Sequence, residues 1–261
     1  MTSGDLNHIR RRIPSKRTGQ LPVKTDLHNH LGLGISKMEK EKFNSIIDLA
    51  SKTLGRGGIF GISAKNSSDF SCKDFIESPG YDRIRVSGSP GVFYFPKKDL
   101  YLILGQEVKT KEGTILVSGV GLNQIVREGA SIEDTLKFLE NSQGAISTTI
   151  VINPYSHNSL GEHLSKNPDF LKRIDAIETY NGSLHGIFKD PNKSARNLYC
   201  LGKYAGYNLG EVCFSGGKTK GASKYYTFLE KPEPNNFTLT LKESLQNSRR
   251  EFFGVNDKSF L

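Results

Sequence analysis

The chain has 261 residues, with 36 Lys+Arg against 27 Asp+Glu and a formal charge of +9. No apolar run approaches the ~18 residues of a membrane-spanning helix, and the N-terminal cations have no hydrophobic segment behind them, so neither a membrane partner nor a secretory signal is expected. Cys72, Cys200 and Cys213 are odd in number and widely spaced, which excludes a disulfide framework or a zinc spacing and fits a reducing, cytoplasmic setting.

Residues 1–24 carry Arg10, Arg11, Arg12, Lys16, Arg17 and Lys24 against Asp5 alone. With few apolar residues and no period, residues 1–20 read as a basic, disordered arm, which either attracts phosphate backbones or only aids solubility. Residues 21–261 read as a single domain. Residues 21–27 form a short strand that runs into Asp26-Leu27-His28-Asn29-His30. On an extended backbone, positions i and i+2 point the same way, so His28 and His30 can share one cation.

Ser36-Lys37-Met38-Glu39 has the pattern of a capping box. Behind it Phe43, Ile46, Ile47, Leu49, Ala50 and Leu54 recur at helical spacing up to Gly55. Residues 59–63 form a second strand, and 83–86 with 92–95 a hairpin. The apolar run 100–104 suits a buried strand leading to Gly105-Gln106-Glu107, and 114–120 pairs back through a turn at 111–113. Ser131 opens a helix to about Asn141. Then come strand 145–152, a short helix near Glu162, strand 176–179, helix 194–204, strand 208–214, strand 225–229 and a closing helix over 239–252. Strands alternating with helices point to a parallel barrel or a doubly wound sheet.

Polar groups gather at the strand ends: Asp26, His28 and His30; Lys65 and Asn66; Glu107; Asn153 and His157; Glu178, Tyr180 and Asn181; and Gly216 to Lys220. Around one rim of a barrel they would make a mixed-charge mouth over an apolar interior. Gly216-Gly217-Lys218-Thr219 lacks the full spacing of a phosphate-binding P-loop, and no Gly-x-Ser-x-Gly nucleophile elbow is present.

The ordered series Asp26-Leu27-His28-Asn29-His30, Gly105-Gln106-Glu107-Val108, Ile177-Glu178-Thr179-Tyr180-Asn181 and residues 239–252 resembles the PHP (polymerase and histidinol phosphatase) superfamily of metal-dependent phosphoesterases, over roughly residues 22–253. The resemblance implies a distorted seven-stranded β/α, TIM-like barrel that binds up to three divalent ions. It makes His28 and His30 metal ligands and Glu107 the bridging carboxylate. Other expected ligands are replaced. The family's Thr-Asp-His-Asn is Ser63-Ala64-Lys65-Asn66 here, and a histidine is replaced by Thr114. Another becomes Asn153, and the late Gly-Ser-Asp-Ala-His corresponds to Gly216 through Lys220.

His28, His30 and Glu107 suffice for one ion (Zn, Mn or Fe) with open positions, not for three. The alternative is a mouth without metal, in which Glu107 pairs with Lys65. Lys65, Lys218 and Lys220, with Asn153 and Asn181, would then take phosphate by charge and hydrogen bonds. Three functions follow. The first is a protein that binds a phosphorylated small molecule or nucleic acid with little or no hydrolysis. The second is a single-metal phosphoesterase on His28, His30 and Glu107, with Lys65 stabilising the departing phosphate. The third is an RNA-associated structural subunit that uses the basic arm.

Overall fold

The computed structural model describes residues 21–30, 40–64, 82–119, 125–142, 147–156, 159–181, 190–218, 224–249 and 253–255. The expected arm at 1–20 and the capping box at 36–39 lie outside the described residues. β1 (Val23–Asp26) and the two-residue β2 (Asn29–His30) carry the Asp-Leu-His-Asn-His segment. In α1 (Lys40–Leu54) the residues Phe43, Ile46, Ile47, Ala50 and Leu54 of the helical stripe are buried, as their spacing predicts, while Leu49 is exposed. β3 (Gly58–Ala64) is buried along its whole length. β4 (Ile84–Arg85) and β5 (Val92–Phe95) make the expected hairpin, and β6 (Leu100–Lys109) folds back into β7 (Thr114–Ser118).

Ser131 caps α2 (Ile132–Asn141), its side chain accepting from Asp134 N. β8 (Thr148–Val151), α3 (Gly161–Lys166) and β9 (Ala176–Asn181) follow. α4 (Pro191–Tyr204) starts with a proline, where no backbone N–H is missed, and Asp190 caps it. The chain then forms β10 (Gly210–Phe214), β11 (Gly217–Lys218), β12 (Tyr225–Leu229), α5 (Phe237–Gln246) and β13 (Phe253–Val255). Among the described residues no helix is long and apolar enough to cross a membrane.

Seven strands form a barrel-like wall in chain order: β1, β3, β6, β7, β8, β9 and β10. All run parallel except β7, which is antiparallel to both neighbours. The mixed α/β barrel expected from the sequence is therefore the fold found. The sheet has eleven strands rather than seven, because the β4–β5 hairpin and β12–β13 add antiparallel members. β12 pairs with β1 on one side and with β13 on the other, and it also packs against β10. Thr227 spans that seam: its Oγ1 accepts from Cys213 N at 2.9 Å and donates to Cys213 O at 3.1 Å.

Leu27, Ile59, Ile103, Leu116, Ile150, Val212 and Phe214 fill the interior, and Phe237, Leu241 and Leu245 of α5 pack into the same cluster. Burying each such side chain contributes about 1.5–3 kcal/mol. The closing helix is shorter than the sequence suggests. It stops at Gln246 because Ser248 docks on β10, accepting from Glu211 N at 3.0 Å and donating from Oγ to Glu211 O at 2.9 Å. Residues 253–255 then form a strand on β12.

The Thr227 seam gives a stability test. Thr227→Val keeps the shape but removes both bonds to Cys213, and should lower unfolding stability by about 1–3 kcal/mol in urea titrations. Thr227→Ser, which keeps the hydroxyl, should lose less. Equal stability of the Val variant and the parent would show that the seam does not depend on this hydroxyl.

Candidate metal centre

The Asp-Leu-His-Asn-His segment leaves β1 at the C-terminal rim of the barrel, the end at which β/α barrels place their chemistry. It is bolted to β3 by three bonds. Asn29 Nδ2 donates to Gly61 O at 3.3 Å, Ser63 Oγ to Leu27 O at 3.2 Å, and His30 Nδ1 contacts Ser63 O at 3.2 Å. Gly61 is required for this approach, since a Cβ there would run into the Leu27 backbone. On the other side Gly216 N donates to His28 O at 3.0 Å, and β2 pairs in parallel with β11. Gly216 has φ +57°, and a Cβ on it would collide with the Asn181 side chain.

His28 and His30 project together, with ring centroids 5.1 Å apart and Nε2 atoms 3.2 Å apart. Glu107 reaches them from β6, on the inward face shared with Ile103. Its Oε1 lies 2.9 Å from His28 Nε2 and 2.9 Å from His30 Nε2. Burial favours a neutral Glu107, but the two histidine contacts outweigh it and hold its carboxyl well below the usual carboxylate range.

Glu178 stands behind this trio, fully buried on β9. Its Oε1 is 2.9 Å from His28 Nδ1, while Oε2 accepts from Asn153 N at 2.9 Å and from Asn181 Nδ2 at 3.1 Å. Burial lowers the proton affinity of His28. The carboxylates of Glu178 and Glu107 more than reverse this, raising its pKa to about 10. Asp26 is also buried, which raises its pKa to about 6 against the opposing bond from Ser215 N to its Oδ1 at 3.2 Å.

The partners assign the tautomers. A backbone carbonyl only accepts, so His30 places its proton on Nδ1, facing Ser63 O; the Glu178 carboxylate does the same for His28. Once His28 Nε2 gives up its proton, both Nε2 lone pairs point at each other and at a carboxylate oxygen. Three acceptors 2.9–3.2 Å apart then need a cation among them, either that proton or a metal ion. Donors held about 2.1 Å from one ion at 90–109° lie about 3.0–3.4 Å apart, so the spacing suits a divalent metal. His28, His30 and Glu107 could hold such an ion, with Glu178 as the carboxylate that orients a ligating histidine.

The structure brings together three of the residues singled out in the sequence: His28, His30 and Glu107. Asn153 and Asn181 lie behind them. Asn153 Nδ2 donates to Asn192 Oδ1 at 2.7 Å, and Asn181 N donates to the same oxygen at 3.1 Å, so the first turn of α4 clamps the strand ends that hold Glu178. The backbone of Lys218 lies opposite His30 in the β2–β11 pair. Lys65, Lys220, His157 and His185 lie outside the described residues. Sequence reasoning missed the positioning roles of Glu178 and Asn192. An acid in the apolar stretch Ala176-Ile177-Glu178 signals a buried carboxylate. Nothing local in the sequence marks Asn192.

No protein-family model and no curated protein matches the chain. Solved structures resemble it in fold. One is Endonuclease Q in complex with a 27-mer duplex substrate with an abasic lesion at the active site. It has TM-score 0.52 and 14% identity, over 86% of this chain and 56% of that one. Another is a two-domain protein from Bacteroides vulgatus ATCC 8482 containing a predicted PHP-like metal-dependent phosphoesterase. It has TM-score 0.49 and 14% identity, over 90% of this chain and 64% of that one. The chain spans less than two thirds of either neighbour. At 14% identity the likeness to Endonuclease Q is one of fold.

Two predictions follow from the centre. A proton and a metal ion compete for His28 Nε2, and with a pKa of about 10 the metal-free centre holds that proton at neutral pH. Each ion bound releases one proton, so Mn²⁺ affinity should rise about tenfold per pH unit from pH 6 to 8; titration calorimetry showing no dependence would contradict the assignment. Glu178→Gln can present an amide N–H to His28 and favour the wrong tautomer. It should weaken metal binding about 10–100-fold while leaving the ligands in place.

Proposed function

We propose that this chain is a phosphate-ester hydrolase that works with a single divalent ion on His28, His30 and Glu107. The observation that carries the reading is the convergence of the two Nε2 lone pairs and the Glu107 oxygen within 2.9–3.2 Å. Each histidine is fixed from behind, His28 by Glu178 and His30 by Ser63 O. A bound divalent ion supplies Lewis-acid polarisation of a phosphoryl oxygen.

The remaining work falls to the chain itself. Glu178 keeps the Nδ1 proton on His28 and so keeps Nε2 available as a ligand. Glu107 stays ionised across the physiological range, as its lowered pKa requires. With the Glu107 and Glu178 carboxylates balancing a divalent ion, no net charge is left over to attract a phosphate. That task we assign to Lys65, Lys218 and Lys220 as phosphate-binding groups, with Lys65 also stabilising the leaving phosphate. The backbone position of Lys218 beside His30 supports its share of this role. Asn153 and Asn181 we assign to the same pocket through their hold on Glu178. The fold shared with Endonuclease Q, a protein solved with a 27-mer duplex substrate, supports nucleic acid as a substrate class beside phosphorylated small molecules.

Binding with little or no turnover is the second reading. It is favoured by the metal-ligand set, since His28, His30 and Glu107 are the one such group among the described residues. Clamping both the attacking and leaving oxygens takes two ions ~3.5–4 Å apart.

One assay separates the readings: phosphomonoester and diester hydrolysis with added Mn²⁺ or Zn²⁺, for the parent, His28→Ala and Glu107→Ala. The proposal expects ion-dependent turnover that chelation abolishes and that each substitution lowers at least ~100-fold, about 2.7 kcal/mol of lost transition-state stabilisation. Full ion occupancy without turnover would favour the binding reading.

A further inference from the structure

The end of the barrel away from the metal centre holds a cavity of about 460 Å³ that the phosphate-ester reading does not use. Thr149 lies near the start of β8 and Asp175 just before β9, at the opposite ends of these strands from Asn153 and Glu178. Ile150 and Ala176 point into the barrel, whereas Val151 and Ile177 belong to the outer cluster under the helices. Alternation therefore turns Thr149 and Asp175 outward. Leu136 and Leu139 of α2 form the facing wall of the cavity, and Lys242 and Gln246 of α5 close one side.

Asp175 is the buried centre of this arrangement. Its N–H donates to Thr149 O at 2.9 Å, and Thr149 N donates back to Oδ2 at 2.8 Å. Its Oδ1 accepts from Gln246 Nε2 at 2.8 Å and lies 3.3 Å from Lys242 Nζ. Burial nevertheless holds its pKa above the ordinary carboxylate value, against Lys242 and these donors, so the carboxylate is under-compensated. Its Oδ2 has an acceptor position left, and the Lys242 ammonium has N–H groups left. Ser147 and Thr149, both buried, line the same cavity. Among the described residues neither of their hydroxyls has a hydrogen-bond partner. Buried polar groups in native proteins are nearly always partnered, so hydroxyls left open on a cavity point to a ligand. The other cations of the lining are cancelled in place, Arg173 by Glu140 at 2.6 Å and Lys172 by Asp169 at 2.7 Å. What stays open is an acid beside a base, two hydroxyls and an aliphatic wall.

We propose that this cavity binds a free α-amino acid with an aliphatic side chain. Its ammonium would face Asp175 Oδ2 and the hydroxyls of Ser147 and Thr149, its carboxylate Lys242, and its side chain Leu136 and Leu139. The two charges of an α-amino acid hang from one carbon, so they match an acid and a base that stand 3.3 Å apart. A neutral polyol would leave that charged pair unmatched, and a phosphate would be repelled by Asp175. The volume lies within the ~300–1,000 Å³ of small-molecule sites. Lys242, with its side chain 38% exposed, gives the cavity its access to solvent. The proposal is independent of the phosphate-ester reading.

The test compares a zwitterion with its halves. Affinities of the full chain for L-leucine, isocaproate, isopentylamine and glycine are measured by ligand-observed NMR. Isocaproate lacks the ammonium of leucine, isopentylamine its carboxylate and glycine its side chain. The site predicts that leucine binds at least ~10-fold more tightly than each of the other three, the worth of one hydrogen-bonded charge. Lys242→Met should lower leucine affinity ~10-fold or more and leave isopentylamine bound at least as tightly. Lys242→Arg keeps a cation and should keep leucine binding, which separates loss of charge from loss of fold. Thr149→Val retains the backbone bonds to Asp175 and should weaken leucine and isopentylamine alike, by about 5-fold.

Leucine bound no more tightly than isopentylamine or isocaproate overturns the zwitterion site. So does a leucine affinity that neither Lys242→Met nor Thr149→Val changes, or the failure of all four ligands to bind. None of these results bears on His28, His30 and Glu107, whose metal binding is measured separately.

Discussion

The contact between His28 Nδ1 and Glu178 Oε1 joins residues 150 positions apart in sequence, at 2.9 Å and out of solvent. Several features of the rim depend on it. It fixes the His28 tautomer, and so decides whether Nε2 offers a lone pair or a proton to the space shared with His30 and Glu107. It also gives a buried carboxylate its partner: an ionised acid at that depth is strongly destabilising without hydrogen bonds, and Glu178 accepts three. The strand ends after β8 and β9 are arranged to complete this set, Asn153 with its backbone N–H and Asn181 with its side-chain amide. Asn192 on α4 holds both from outside.

Close backbone approach makes this geometry available. Gly61 admits the Leu27 backbone against β3, and Gly216 admits Asn181 beside the β10 exit. A side chain at either position would push the histidine segment away from Glu107 or from Glu178. The barrel's apolar interior, packed by α5 from Phe237 to Leu245, supplies the stiffness that keeps His28 and the groups on β2, β6 and β9 within about 0.5 Å of a working arrangement.

Much of the fold is legible in the sequence because its elements carry unambiguous periods. The stripe from Phe43 to Leu54, the cap at Ser131 and the apolar run 100–104 each specify one local structure, and each is found. The alternating pair His28 and His30 is legible for the same reason, and Glu107 follows from its place at the end of a buried strand. The closing helix is less so. The sequence suggests that the helix continues past Gln246, yet Ser248 gains more by bonding to both Glu211 backbone groups. Tertiary pairing there overrides propensity. The strand 225–229 is legible and is found as β12, but its antiparallel pairing with β1, and β13 beyond it, escape a reading that expects parallel βα units. Asn192 illustrates the general limit: its role exists only once residues 153 and 181 are neighbours, which sequence spacing does not express.

The central claim is that one divalent ion sits between two imidazole nitrogens and a carboxylate oxygen, with Glu178 orienting the first imidazole. X-ray absorption spectroscopy on the Zn²⁺- or Mn²⁺-loaded protein tests this most directly. The account predicts one ion per chain, a nitrogen/oxygen shell near 2.0–2.2 Å and outer-shell scattering from two imidazole rings, reduced to one in His30→Ala. Absence of imidazole scattering would contradict it, as would a metal–metal vector near 3.5–4 Å of the kind that two-ion phosphoesterases show.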